Sequence, residues 1–302
     1  MIGLRLALGA IAVMALMTAG MGGLAVLDYQ TSATQRSMTL LAGGDSTYWR
    51  ALAAGAQAAA AEQGIELTIG WPPAHEDRCG RLSLAGTTGY TATCGNASHN
   101  AAQIFHVGEA SFGAGRRCAE YVASLLQGGE TILIIIDDNC RAAEPVERLQ
   151  GFQQELKHPR RASQRGTAAQ LEAVVVHLSA DDVQAADRQI SASISQHSAR
   201  VVVDLRLGGA EELAAVVAEL ADAPQLVTFD QSDAAFKLME LGKIAAIVAH
   251  DPHLCGYLAV DRLAYFHEAG RLALPAEGKG HIYVPTQIVR PGEMAEFRAS
   301  LK

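Results

Sequence analysis

The chain has 302 residues, 49% of them hydrophobic and 19% charged. That is enough for a buried core and a bilobed or two-domain molecule, and too apolar for a disordered or collagen-like one. The formal charge is −8, from 24 Lys and Arg against 32 Asp and Glu, and no basic run offers a track for phosphates, which argues against general nucleic-acid binding.

The stretch Leu6 to Leu27 carries no charge and is flanked by Arg5 and Asp28. As a helix it is about 33 Å long, enough to span a bilayer. It reads as a signal peptide or an uncleaved anchor, which places the rest of the chain in the periplasm or at the outer face of the cytoplasmic membrane, exported or anchored by residues 5–27. A short polar tether follows, ending near Ser37.

From Met38 onward, short apolar runs alternate with segments of helical period. Thr39–Ala42 reads as a buried strand, Tyr48–Gln63 as an Ala-rich helix closed by Gly64, and Ile65–Ile69 as the next strand. Ile104–Val107 is a strand, Ala114–Leu126 a helix ending at Gly128-Gly129, and Thr131–Ile136 a strand apolar throughout. The alternation continues with strands at Ala173–Leu178, Val201–Leu205, Leu226–Phe229 and Ile244–Ala249. Between and after them come helices at Ala143–Leu156, Ala185–His197, Ala210–Leu220, Ala234–Leu241 and Leu254–Ala269. Such alternation predicts α/β architecture with parallel sheets covered on both faces, and ligands beyond the carboxyl ends of the strands. Asp45, Asp137, Asp138, Asp204, Arg206, Asp230 and Asp251 all follow strands closely.

Several local motifs then point one way. Gly43-Gly44-Asp45-Ser46-Thr47-Tyr48-Trp49 runs into Gly55-Ala56-Gln57-Ala58, Val107-Gly108-Glu109 precedes Gly113-Ala114-Gly115-Arg116, and Arg148-Leu149-Gln150-Gly151-Phe152 lies in a helix. Val227-Thr228-Phe229-Asp230, Leu241 to Ala249, Pro252 to Val260 and Val284-Pro285-Thr286 follow in order. In this order they resemble the type I periplasmic binding proteins, the family of the ribose- and galactose-type sugar receptors. The resemblance implies two Rossmann-like lobes with parallel sheets joined by a three-stranded hinge, here preceded by the N-terminal hydrophobic helix. The expected layout is signal or anchor and tether at 1–37, first lobe at 38–128 plus 244–275, and second lobe at 129–243 plus 276–302. The hinge crossings fall near Gln127 to Thr131, Leu241 to Ala249 and Pro275 to Pro285.

The same resemblance assigns ligand binding to Tyr48 and Trp49, which match the family's stacking aromatics, to Arg148, its ligand arginine, and to Asp230, its acceptor. Asp45, Asp204, Arg206 and Asp251 are further candidates. The plainer alternatives are helix-start packing for the aromatics and an ion pair with Glu144 or Glu147 for Arg148. The chain departs from the family between 71 and 103, an interval too short for the expected strands and helices, so about one strand with its helices is missing from a shortened first lobe and a sheet edge is left open. That stretch holds His75, Cys79, Cys94 and His99, which leaves a Cys79–Cys94 disulfide, a zinc site or unpaired loop residues as alternatives.

No nucleophile elbow, P-loop or H-E-x-x-H motif occurs, so no enzyme, catalytic residue, cofactor or metal is expected. The expected role is an extracytoplasmic sugar-binding protein of an ABC-type importer, a monomer that closes on a small polar ligand and docks to a membrane permease. The alternative is a membrane-anchored sensor or interaction protein whose pocket has degenerated.

Overall fold

The computed structural model describes residues 36–71, 79–84, 91–95, 103–127, 129–138, 143–157, 171–178, 183–206, 208–269 and 280–301, with backbone alone at 79–84, 103 and 267–269. In chain order the elements are β1 (Ser37–Leu41), α1 (Thr47–Glu62), β2 (Glu66–Gly70), β3 (Cys79–Leu84), β4 (Thr91–Gly95), β5 (Gln103–Glu109) and α2 (Ser111–Leu125). Then come β6 (Thr131–Asp137), α3 (Glu144–Leu156), β7 (Glu172–Leu178), α4 (Val183–His197), β8 (Val201–Asp204), α5 (Ala210–Ala218), β9 (Gln225–Thr228) and α6 (Asp233–Glu240). The chain closes with β10 (Ala246–His250), α7 (Pro252–Ala269), β11 (His281–Val284), β12 (Thr286–Val289) and α8 (Met294–Ser300). Among the described residues no helix is long and apolar enough to cross a membrane; Leu6–Leu27 lies outside them.

The strands form two six-stranded sheets, ordered β11-β5-β4-β3-β1-β2 and β12-β10-β9-β8-β6-β7. The second is parallel except for β12 at its edge. Its central strands are apolar at successive residues because both faces are covered. Ile132, Ile134, Val201 and Val203 pack under α2 and α3, while Leu133, Ile135 and Val202 pack under α4, α5 and α6.

The first sheet is built differently. Met38 and Leu40 are buried under α1 and α7, whereas Ser37, Thr39 and Leu41 alternate to the opposite face. The shortening near 71–103 has not removed a strand. Instead β3 runs antiparallel to both β1 and β4, so a hairpin stands where helical crossovers were expected. An antiparallel neighbour needs only a short connection, while β4 and β5 are parallel neighbours with only residues 96–102 between them. Polar alternation on β1 and β2 agrees with a face that no helix covers among the described residues.

The register also excludes the disulfide among the three alternatives for Cys79 and Cys94. Cys94 pairs with Gly80 and Cys79 with Gly95, so the two cysteines are one step out of register; Cys94 is a buried thiol. His75 and His99 lie outside the described residues.

The lobe boundaries differ from those expected. Helix α2 packs on the second sheet, β10 belongs to that sheet, and β11 belongs to the first. The chain therefore crosses at Ala110, Asp251 and Pro285; the last falls within the expected Pro275 to Pro285 stretch, while the other two replace the crossings expected near Gln127 to Thr131 and Leu241 to Ala249. Paired glycines mark helix ends, but nothing in local periodicity marks a change of sheet when a strand runs directly into a helix.

On the polar face of the first sheet, His106 is buried with its Nδ1 2.9 Å from the Thr93 hydroxyl. Burial, with His281 and His250 nearby, pushes its pKa from 6.5 down to about 3. The folded state thus holds the neutral ring, and the stability this gives is complete above pH 6.5 and drains as pH falls toward 3. Glu109 enters only below its ordinary 4.5. Urea unfolding between pH 6.5 and 4.5 is expected to show a loss approaching about 1.4 kcal/mol per pH unit, and His106→Gln is expected to flatten that limb.

Candidate functional site

A cavity of about 520 Å³ opens between the lobes at the carboxyl ends of both sheets. The first lobe supplies the β1–α1 loop, Gly43 to Ser46, and the aromatic pair Tyr48 and Trp49. The loop turns tightly because the indole lies against it. A Cβ on Gly44 would stand 3.1 Å from Trp49 Cδ1, and one on Gly95 would stand 2.9 Å from Trp49 Cη2. Trp49 is thus clamped between two glycines and only 7% exposed, with its edge toward Tyr48 at 5.1 Å and 88°. Helix-start packing and cavity lining are both true of it. Asp45 lies at the rim in a 2.8 Å ion pair with Arg50.

Tyr48 joins the two lobes. Its hydroxyl lies 3.0 Å from His250 Nε2 at the end of β10. Burial, with Cys255 and Cys94 nearby, pushes the hydroxyl's pKa well up, so it remains a neutral hydrogen-bonding group. His250 Nδ1 faces the Gln231 amide at 3.1 Å and Glu109 Oε2 at 3.7 Å. A second bridge is the Thr47 hydroxyl, which donates to the Asp233 carboxylate at 2.6 to 2.7 Å. Ala51 of α1 packs into the core of the second lobe. The lobes therefore touch across the cleft.

The second lobe supplies Arg148, the Gly208-Gly209 turn, Phe229, Asp230, Gln231 and Ser232. Asp230 accepts from the backbone N–H of Ser232 at 2.8 Å and of Ala210 at 3.4 Å. It thereby holds the start of α5 while keeping lone pairs toward the cavity. Ser232 caps α6 by accepting from the Ala235 N–H.

Arg148 is 2% exposed. Its Nε donates to Glu109 Oε1 at 2.5 Å, its Nη1 donates to the Leu205 carbonyl at 2.9 Å, and its guanidinium lies 4.4 Å over the Phe229 ring. The partner is Glu109, not Glu144 or Glu147. Burial alone would raise the Glu109 pKa, but Arg148 and the nearby His250 outweigh it and hold the carboxyl at about 2.

Of the sequence candidates, Asp45, Tyr48, Trp49, Arg148 and Asp230 come together around this cavity. The others do not line it. Asp204 and Arg206 form a two-pronged pair with each other, Nε–Oδ1 2.9 Å and Nη2–Oδ2 3.0 Å. Arg206 lies under Gly209, where a Cβ would meet its Nη2 at 2.7 Å, so the pair supports the glycine turn from behind. Asp251 caps α7, accepting from Leu254 N–H at 3.1 Å, which is what an acid one residue before a helix most often does. Sequence reasoning did not assign Glu109, Gln231 or His250 to the site. His250 ends an apolar strand as the aspartates do, and that position was the available signal.

Residues 91–268, more than half of the chain, match the family model described as a periplasmic binding protein domain. The chain belongs to this family. No curated protein matches the sequence. Among solved structures, the glucose-galactose binding protein of Geobacillus stearothermophilus superimposes with a TM-score of 0.64 at 20% identity, over 84% of this chain and 97% of that one. The arabinose binding protein of the same organism gives 0.64 at 17% identity, over 86% and 98%. A carbohydrate transporter protein of Acidothermus cellulolyticus in complex with myo-inositol gives 0.60 at 16% identity, over 88% and 99%. At such identities the likeness shows the fold, and it is the type I, two-lobed one. This periplasmic binding protein aligns with nearly the full length of those relatives.

Proposed function

We propose that the protein is the sugar-binding component of an ABC-type importer, working outside the cytoplasmic membrane and exported or held there by residues 5–27. A small polyhydroxylated ligand binds between the lobes, the hinge crossings let the lobes close on it, and the closed monomer docks to a permease. The observation that carries this reading is the interlobe cavity with Tyr48 and Trp49 on one wall and Asp230 with Arg148 on the other. Aromatic rings suit the apolar face of a sugar, and fixed charged groups suit its hydroxyls. Relatives of the same fold named for glucose and galactose, arabinose and myo-inositol support the ligand class.

A second reading, an anchored sensor or interaction protein with a degenerate pocket, draws on one observation. The arginine that would grip the ligand is engaged internally with Glu109.

A thermal-shift screen of the purified full-length chain in detergent against pentoses, hexoses and cyclitols separates the two. A ligand that binds only the folded state adds about 2.7 kcal/mol at a hundredfold excess over Kd, and a clear rise in Tm for one sugar is the expected result. A cooperative transition with no shift across the panel supports the second reading.

A further inference from the structure

We propose that Glu109 sets the ligand's charge: by cancelling Arg148 inside the protein it leaves the cavity fit for uncharged sugars and closed to sugar acids. This rests on the sugar-binding reading above. Arg148 is the arginine among the described residues that line the cavity, and a carboxylate ligand would need its guanidinium.

A carboxylate grips an arginine best through two parallel N–H bonds. Here Nε is committed to Glu109 at 2.5 Å and Nη1 to the Leu205 carbonyl at 2.9 Å, while the guanidinium face is covered by Phe229. Glu109 is itself fixed. Ser111 donates to its Oε1 at 3.2 Å, and its Oε2 faces His250 at 3.7 Å. The pair is buried on both sides, with side chains 2% and 3% exposed, so neither water nor salt screens the cancellation.

The remaining wall charges do not reverse it. Asp230 carries a negative charge into the cavity, and the start of α5 that would attract an anion is already held by that aspartate through Ala210 N–H. The start of α6 is likewise capped by Ser232. Among the described residues that line the cavity, an entering carboxylate therefore meets the acidic Asp45, Glu211 and Asp230, and an arginine already paired with Glu109. An uncharged hydroxyl can still take one of the remaining guanidinium donors, since Arg148 has five N–H groups in all.

The test is calorimetry on the full chain with matched pairs, D-galactose against D-galacturonate and D-glucose against D-glucuronate, first on the wild type and then on Glu109→Gln. In the wild type the acid of the bound pair is expected to bind at least about tenfold more weakly than the parent sugar. In Glu109→Gln that ratio is expected to close or invert, and in Glu109→Asp to return toward wild type. An acid that binds the wild type as tightly as its parent sugar overturns the proposal, whether or not the variants fold. So does a folded Glu109→Gln with an unchanged ratio. Those outcomes leave the sugar-binding reading standing. Failure of the wild type to bind either acid or any pentose, hexose or cyclitol of the thermal-shift panel overturns both.

Discussion

Replacing Arg148 with methionine is expected to abolish ligand binding and to destabilise the fold by about 3–5 kcal/mol, with much of that stability returning in the Arg148→Met, Glu109→Gln double variant. The size follows from burial. Removing one partner of an enclosed ion pair leaves the other charge without compensation, a much larger penalty than the net worth of the pair itself. Met keeps the volume over the Phe229 ring, so the loss is electrostatic, with the Leu205 carbonyl as a second casualty. Urea unfolding of the wild type, both single variants and the double variant closes the cycle. Additive single effects would mean that Glu109 and Arg148 do not depend on each other, and would remove the basis for the charge argument. Calorimetry on the same proteins separates the loss of binding from the loss of stability.

Gly256→Ala and Gly151→Ala are expected to be destabilising by about 3 kcal/mol or more each, although alanine is the better helix former by about 1 kcal/mol. A Cβ on Gly256 would stand 1.9 Å from the Leu52 carbonyl oxygen, and one on Gly151 would stand 2.0 Å from that of Phe112. Both obstacles are backbone, so helices must separate rather than side chains turn. Gly113→Ala is the control. Its Cβ would meet only the Ala110 Cβ at 3.8 Å, and the change is expected to leave the melting temperature level or raise it. Thermal unfolding of the three variants checks the contrast; equal behaviour would show that the helix pairs have room to spare.

Much of this architecture was legible in the sequence, and the reason is burial on both faces. The strands of the second lobe are apolar at consecutive residues, as in Ile132 to Ile135, and alternate with segments of helical period. The first lobe was harder because β3 and β4 are short, polar on one face and antiparallel, so Cys79–Leu84 carries no signal that separates it from a loop. In the site, Tyr48, Trp49, Arg148 and Asp230 could be placed from motif position alone. What position could not give was pairing. Arg148 and Glu109 are thirty-nine residues apart, and only the packing of α2 against α3 brings them together. Asp204, Arg206 and Asp251 shared the right address at strand ends, yet each found a closer partner in its own loop or helix.

The glycine contacts repeat with one geometry. A Cβ on Gly55 would strike the carbonyl of His253 and one on Gly256 that of Leu52; a Cβ on Gly115 would strike that of Arg148 and one on Gly151 that of Phe112. Each glycine thus meets the residue three positions before its partner glycine, in α1 with α7 and again in α2 with α3. Each pair also begins directly after a lobe crossing, α2 after Glu109 and Ala110, α7 after His250 and Asp251. Backbone pressed on backbone leaves no side-chain cushion in which one rod could slip along the other. A twist at the crossings beside Glu109 and His250 would therefore move each helix pair as one body, α1 with α7 in the first lobe and α2 with α3 in the second. The close fit of each pair rests on glycine hydrogens standing where side chains would otherwise be.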